Sequence, residues 1–175
     1  MPDLSRAIDI ALVLLGGAGG AFLVWWLDGR RVAARERREL IGALELVSLE
    51  LSGNVAMADA WARPTTSEFA PIELRGEAWS AHQTTLARSL PRDIIGHLGA
   101  GYGLARMLMN NVEVARRKGQ NAGANDIALA TRTRDYQNAN LREVQTFMRT
   151  KLGIRFTIEP EGPGGAHVTR GNRPP

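Results

Sequence analysis

The sequence has no cysteine. That excludes a disulfide framework and any thiolate chemistry, and it fits a reducing compartment. Histidine is scarce, with only His82, His97 and His167. Neither His-Glu-x-x-His nor a paired Glu-x-x-His occurs, the spacings that set metal ligands on facing helix surfaces. Lysine is nearly absent (Lys118 and Lys151), and aromatics make up 6% of the chain. No basic stretch carries interleaved aromatics, so a nucleic-acid face is not expected. Gly99-Ala100-Gly101-Tyr102-Gly103 is glycine-rich, but it has no strand before it, no helix opening after it and no Walker lysine. The expectation is therefore no catalytic residue, no metal, no cofactor and no nucleic acid.

What is present is one long uncharged run, Ile10 to Leu27, eighteen residues near the amino terminus. At about 1.5 Å per residue it reaches roughly 27 Å, the thickness of a bilayer's hydrocarbon core. Arg30, Arg31, Arg35, Arg37 and Arg38 follow it directly, whereas residues 1–9 set Arg6 against Asp3 and Asp9. Positive charge is retained on the cytoplasmic side, so residues 10–27 read as a single transmembrane helix with residues 1–9 outside. The implied location is the cell's inner (plasma) membrane. A cleaved signal peptide would need a basic start, a shorter apolar core and a small-residue cleavage site. Here the start is neutral and bulky Trp25-Trp26-Leu27 fills that zone. Trp25, Trp26, Arg30, Arg31 and Arg35 are the expected membrane-interface residues, with anionic lipid opposite the arginines. Gly16, Gly17, Gly20 and Ala21 give one face of the span the small residues that let a second helix approach.

Behind the span the chain is mixed in sign and globular in composition, 44% hydrophobic and 23% charged with a net charge of +4. Leu40, Leu44, Val47, Leu51, Ala58 and Trp61 recur at helical spacing, so a helix over 32–61 continuous with the span is predicted. Leu46, Leu49 and Met57 fall on the opposite side, beside Gly42 and Gly53. A helix apolar on two faces is expected to be sandwiched. Asn54 interrupts the first stripe. It reads either as a register-setting residue in a helix seam or, the preferred reading, as a side chain bonded to the backbone of a neighbouring loop.

Residues 62–76 hold two prolines and read as a loop, with Phe69, Ile72 and Leu74 tucked against the bundle. A helix over 77–90 follows, with Trp79, Leu86 and Leu90 as core. Another runs from Pro91 to about Lys118, with Ile94, Ile95, Leu98, Tyr102, Ala105, Leu108, Met109 and Val112 inside. Its glycines 96, 99, 101 and 103 mark either close packing against the first helix or a break. After the linker 119–123, a last helix extends from about Asn125 to Leu152. Its middle, Arg132, Arg134, Asp135, Gln137, Asn138 and Asn140, reads as solvated. Ile154 to Glu159 alternates as a strand does, without an evident mate. Residues 160–175 are rich in Gly and Pro and are expected to be disordered. Asp93 lies one turn before His97, which predicts a helix salt bridge or cap.

A membrane span followed by Glu50-Leu51-x-x-Asn54, Ala78-Trp79, Leu86 to Leu90-Pro91, and Tyr102 before Asn110-Asn111 resembles a broad class of bacterial single-pass proteins. In these a small cytosolic helical domain carries a recurring Asn and an Ala-Trp step. The resemblance covers residues 10–112 and implies architecture, not an activity.

The expected fold is all-α: a transmembrane helix entering an antiparallel bundle of about four cytosolic helices over 32–159, with a possible short carboxy-terminal strand. The expected function is a membrane-anchored scaffold or adaptor that acts as a homo-oligomer or by docking a membrane protein partner. The alternatives are a signalling element relaying a change from bilayer to bundle, and an enzyme built on His82, His97, Asp93 or Glu113.

Overall fold

The apolar run and the leucine stripe behind it belong to one helix, α1 (Asp3–Ala62). No proline occurs between Pro2 and Pro64, and helices end before a proline because its ring disfavours helical geometry in the preceding residue. The computed structural model describes residues 3–63, 74–119, 123–159 and 167–171, with side chains for 19–63, 74–119 and 123–154. The expected inward positions of Phe69 and Ile72 lie outside the described residues, as do residues 160–166 and 172–175 of the tail. The chain divides into two units, Met1–Glu39 and Leu40–Pro175.

In the first unit every described side chain from residue 19 to 39 is exposed. Phe22, Leu23, Val24, Trp25, Trp26 and Leu27 leave 43–71% of their surface uncovered. Six consecutive large apolar side chains left exposed among the described residues make α1 a helix long and apolar enough to cross a membrane.

The second unit joins the rest of α1 to α2 (Glu77–Ser89), α3 (Arg92–Arg117) and α4 (Ala124–Phe147). Pro91 precedes α3, where its missing N–H and fixed φ suit a helix start. Gly119 takes φ 62° just past the end of α3, the left-handed stop that glycine adopts without a Cβ clash. The main core joins Leu44, Val47 and Leu51 of α1 to Leu86 of α2, Leu98 of α3, Val144 near the end of α4 and Met148 just beyond it. A smaller cluster packs Trp61 on Leu108, Val112 and Ala130. Each large side chain so buried contributes about 1.5–3 kcal/mol. The bundle is thus built on the stripe that the sequence displays.

Among the described residues the second apolar face of α1 is open: Leu46 is exposed, as is Gly53, while Leu49 and Met57 are only partly covered. Three expectations are corrected. The glycines of α3 neither break it nor pack on α1. A Cβ at Gly96 or Gly103 would meet nothing, and only Gly101 lies at a close approach, against α4. The middle of α4 is not solvated as a whole, because Thr133, Gln137 and Asn140 are buried. The third concerns the tail. β1 (Arg155–Glu159) pairs antiparallel with β2 (His167–Gly171), Thr157 opposite Thr169, so part of the expected disordered segment is the missing mate. The α4 helix ends in a π turn, Met148–Leu152, closed by Gly153 at φ 69° and by the Ile154 N–H bonded to the Met148 carbonyl.

Candidate functional site

Of the three polar residues buried on α1, Ser48, Glu50 and Asn54, the last two lie one turn apart. A buried carboxylate is tolerated only when hydrogen bonds replace its water. Glu50 takes them from the start of α2: Oε2 accepts from Ala78 N–H (2.8 Å) and Oε1 from Trp79 N–H (3.3 Å). These are orphan donors of the first helical turn, and Gly76 at the N-cap has no side chain with which to satisfy them. The negative charge also meets the positive end of the α2 dipole. Asn54 completes the clasp. Its Nδ2 donates to the Arg75 carbonyl (2.9 Å) and its Oδ1 accepts from Arg75 N–H (2.7 Å). The segment entering α2 is therefore held by side chains of α1.

Tyr102 of α3 closes the node. Its ring stacks on Trp79 at 5.3 Å between centroids and 11° between planes. The hydroxyl is buried and makes no hydrogen bond among the described residues. Burial pushes the phenol well above its ordinary range, and the neighbouring Glu50 carboxylate pushes it in the same direction. Unfolding releases a phenol that ionises near its usual value of 10.0. The stability is thus fully present below that pH and is lost as pH rises beyond it. Tyr102→Phe keeps the stack and removes the unpartnered hydroxyl. It is expected to leave stability at neutral pH unchanged, or raised by up to about 1 kcal/mol, and to flatten the alkaline decline. Denaturant unfolding of both proteins across the alkaline range checks this, and parallel declines would defeat it.

A second set of polar contacts joins α3 to α4. Gln137 Nε2 donates to the Gly101 carbonyl (2.9 Å), and Asn140 Nδ2 to the His97 carbonyl (3.0 Å). A helical carbonyl has a second lone pair to offer once its intrahelical bond is made. The approach is possible because residue 101 has no side chain: a Cβ there would lie 2.3 Å from Asn140 Nδ2. Residue 97 pairs with 140, and 101 with 137, so α3 and α4 run in opposite directions.

At the surface, His97 Nδ1 lies 3.0 Å from Glu143 Oε2. The expected His97 partner, Asp93, is replaced by a carboxylate on another helix. Asp59 bonds Arg63 and reaches Arg134 Nη1 at 3.1 Å, and Arg134 also meets Asp135 at 2.8 Å. Arg63, then Arg134, hold the Asp59 carboxyl below its usual value.

Of the residues expected to matter, Gly16 and Gly17 lie in α1 where side chains are not described, while Gly20 and Ala21 are exposed. Trp25 and Trp26 are exposed, and the Arg30 guanidinium sits 4.5 Å over the Trp26 ring. Arg31 is exposed, and Arg35 is paired with Glu39 at 2.9 Å. The structure thus joins Trp26 to Arg30 and places Asn54 in a separate, buried setting. Glu50 was visible only as a letter in the resemblance, whereas Tyr102 was expected inside the bundle and is buried there. A sequence sign for Glu50 exists in hindsight, a carboxylate one turn before an amide on an otherwise apolar face.

Among the described residues no three metal-ligating side chains gather. Both Glu50 oxygens and both polar atoms of Asn54 are engaged by main chain. Chemically, the node positions a helix. No family model, curated protein or solved structure matches the chain in the comparisons made.

Proposed function

We propose that this protein is a membrane-anchored helical scaffold, held by a single span at residues 10–27 in the cell's inner membrane. Its bundle is antiparallel and cytosolic, and it acts by self-association or by docking a membrane partner. The observation that carries the reading is the run Phe22–Leu27, exposed throughout and bounded by the Trp26–Arg30 contact. Hydrocarbon is the surrounding that such a surface fits, and an indole capped by a guanidinium fits the headgroup boundary. The excess of arginine behind it supports the orientation, amino terminus outside and bundle inside. Apolar side chains left open on the second unit, Leu46 on α1 with Met107 and Val114 on α3, support docking. The role involves no catalytic step.

The test is purification of the full-length protein from its native membrane in mild detergent, with particle mass measured and co-purifying proteins identified. A stoichiometric partner or a homogeneous oligomer is expected. A bare monomer, or recovery of the protein from the soluble fraction, overturns the reading.

A further inference from the structure

The two core clusters order the second unit from end to end. The main one holds Leu40 of α1, Leu90 after α2, Ile94 of α3 and Met148 beyond α4, with Leu152 packed against it. The smaller one holds Trp61, Val112 and Ala130. The entry of α1, the α2–α3 corner and the exit of α4 therefore share one end of the unit. That end is basic. Arg88 lies in the last turn of α2, Arg92 is the first residue of α3, and Arg149 and Lys151 lie in the π turn, all four exposed. None of the four makes a salt bridge among the described residues. Of the carboxylates nearby, Glu143 is engaged by His97, while Asp93 and Glu45 offset part of the charge. At the opposite end three arginines are neutralised within the chain: Arg63 by Asp59, Arg117 by Glu113, and Arg134 by Asp59 and Asp135. Helix electrostatics accounts for Arg88, Arg149 and Lys151, which suit a carboxy-terminal turn. It does not account for Arg92, whose charge meets the positive end of α3.

We propose that this end of the bundle docks on the anionic surface of the membrane that holds the span, with Arg88, Arg92, Arg149 and Lys151 facing lipid phosphates. The inference rests on the membrane-anchor reading above and adds to it a second, charge-driven contact made by the folded unit itself. Charge complementarity fits the surface to an anionic leaflet, and the tether selects that occupant. Leu40 follows Leu27 by thirteen residues, all of them in α1. That is about 20 Å of helix. The headgroup layer takes up about 6 Å of it, and the leaflet's negative potential extends about 8 Å farther at physiological salt. The remainder is within the reach of long basic side chains on a helix tilted as spans commonly are. Each basic residue brought to such a surface raises the docked population about fivefold. Four acting together make a contact that no one of them could hold. Because the chain is anchored in the same bilayer, the lipid is met at a high effective concentration.

The absence of native cysteine gives a clean test, because one introduced thiol is the only one to label. Ser89→Cys, at an exposed position beside Arg88, carries a fluorescent donor. The full-length protein is reconstituted into phosphatidylcholine vesicles that bear an acceptor lipid, with phosphatidylglycerol or without it. Energy transfer is expected to rise when phosphatidylglycerol is present and to fall back when salt is raised well above the physiological level. Joint replacement by Arg88→Gln, Arg92→Gln, Arg149→Gln and Lys151→Gln is expected to cut the docked population at least about tenfold, with the helical circular dichroism unchanged. Arg30, Arg31 and Arg35 are retained in that variant, so their own contacts with lipid cancel from the difference. The same donor on Asn125→Cys, exposed at the opposite end, is expected to gain no transfer. Equal transfer with and without phosphatidylglycerol, an unaltered response in the fourfold variant, or an equal gain at Asn125→Cys overturns the proposal and leaves the anchor reading standing. Failure of the full-length protein to enter vesicles at all ends both.

Discussion

Glu50→Ala is expected to destabilise the second unit by about 3 kcal/mol or more, the largest effect of any single side-chain truncation at the node. Two α2 amides, Ala78 and Trp79, lose their acceptor in a site where Glu50 itself is only 6% exposed. Each buried donor left unsatisfied costs about 1–3 kcal/mol, and loss of a helix cap alone costs about 0.5–2 kcal/mol. Glu50→Gln retains one acceptor oxygen and is expected to lose about half as much. The readout is denaturant unfolding of the full chain in detergent, followed by the fluorescence of the buried Trp61 and Trp79. A second readout separates the capping role from mere packing. Without the carboxylate beside it, Tyr102 is pushed up by burial alone, so in Glu50→Gln the alkaline decline still begins near the usual phenol value but is smaller in total. A loss under about 1 kcal/mol for the alanine variant would mean that other groups take over the α2 terminus, and the capping account would fall.

Gly101→Val is expected to have a comparable effect for the opposite reason, too much matter instead of too little. The first added carbon already falls 2.3 Å from Asn140 Nδ2 and 3.4 Å from the Tyr136 ring. Asn140 must swing away and surrender its bond to the His97 carbonyl, or α3 and α4 must part and strain the Gln137 bond as well. Overpacking of this kind costs about 1–3 kcal/mol, the lost bonds add to it, and a β-branched residue brings no helix propensity to offset much of it. Gly101→Ala is milder, because alanine returns about 1 kcal/mol of helix propensity. The decisive experiment pairs it with Asn140→Ala, which removes the colliding atoms. If the contact is as described, the double variant is more stable than the sum of the singles predicts, by at least about 1 kcal/mol. Simple additivity would show that the helices yield at some other point.

The sequence displayed those parts of the fold that repeat with the helical period. Leu44, Val47, Leu51, Leu86, Leu98 and Val144 are placed inside by spacing alone, and all are buried. Gln137 and Asn140 defeat the same logic. Periodicity counts an amide as outward, and here the carbonyls of a different helix make the inward position affordable. Four glycines of α3 look alike as letters, yet Gly101 alone faces α4, because the difference is set by the rotation of the helix in the bundle. His97 is a similar case. Asp93 is its neighbour along the helix, whereas Glu143, its partner, arrives only when the chain returns. The β2 strand, His-Val-Thr-Arg-Gly, lies within a Gly- and Pro-rich tail and shows no apolar–polar alternation of its own. Such pairings across the chain are what local pattern leaves open.

The division of labour between α1 and the later helices has a consequence during synthesis. The face of α1 from Leu40 to Leu51 leaves the ribosome first, but part of its cover is Val144 and Met148, made about a hundred residues later. At roughly 5–20 residues per second that interval is on the order of 5–20 s. Until then the stripe is an apolar surface beside a nascent chain, with α2 as its earliest cover, brought into place when Glu50 and Asn54 capture Arg75, Ala78 and Trp79. Among the described residues the node's hydrogen bonds are the first that join α1 to a later element as the chain elongates. Ribosomes stalled before and after residue 79 would differ in how readily a protease or a chaperone finds α1.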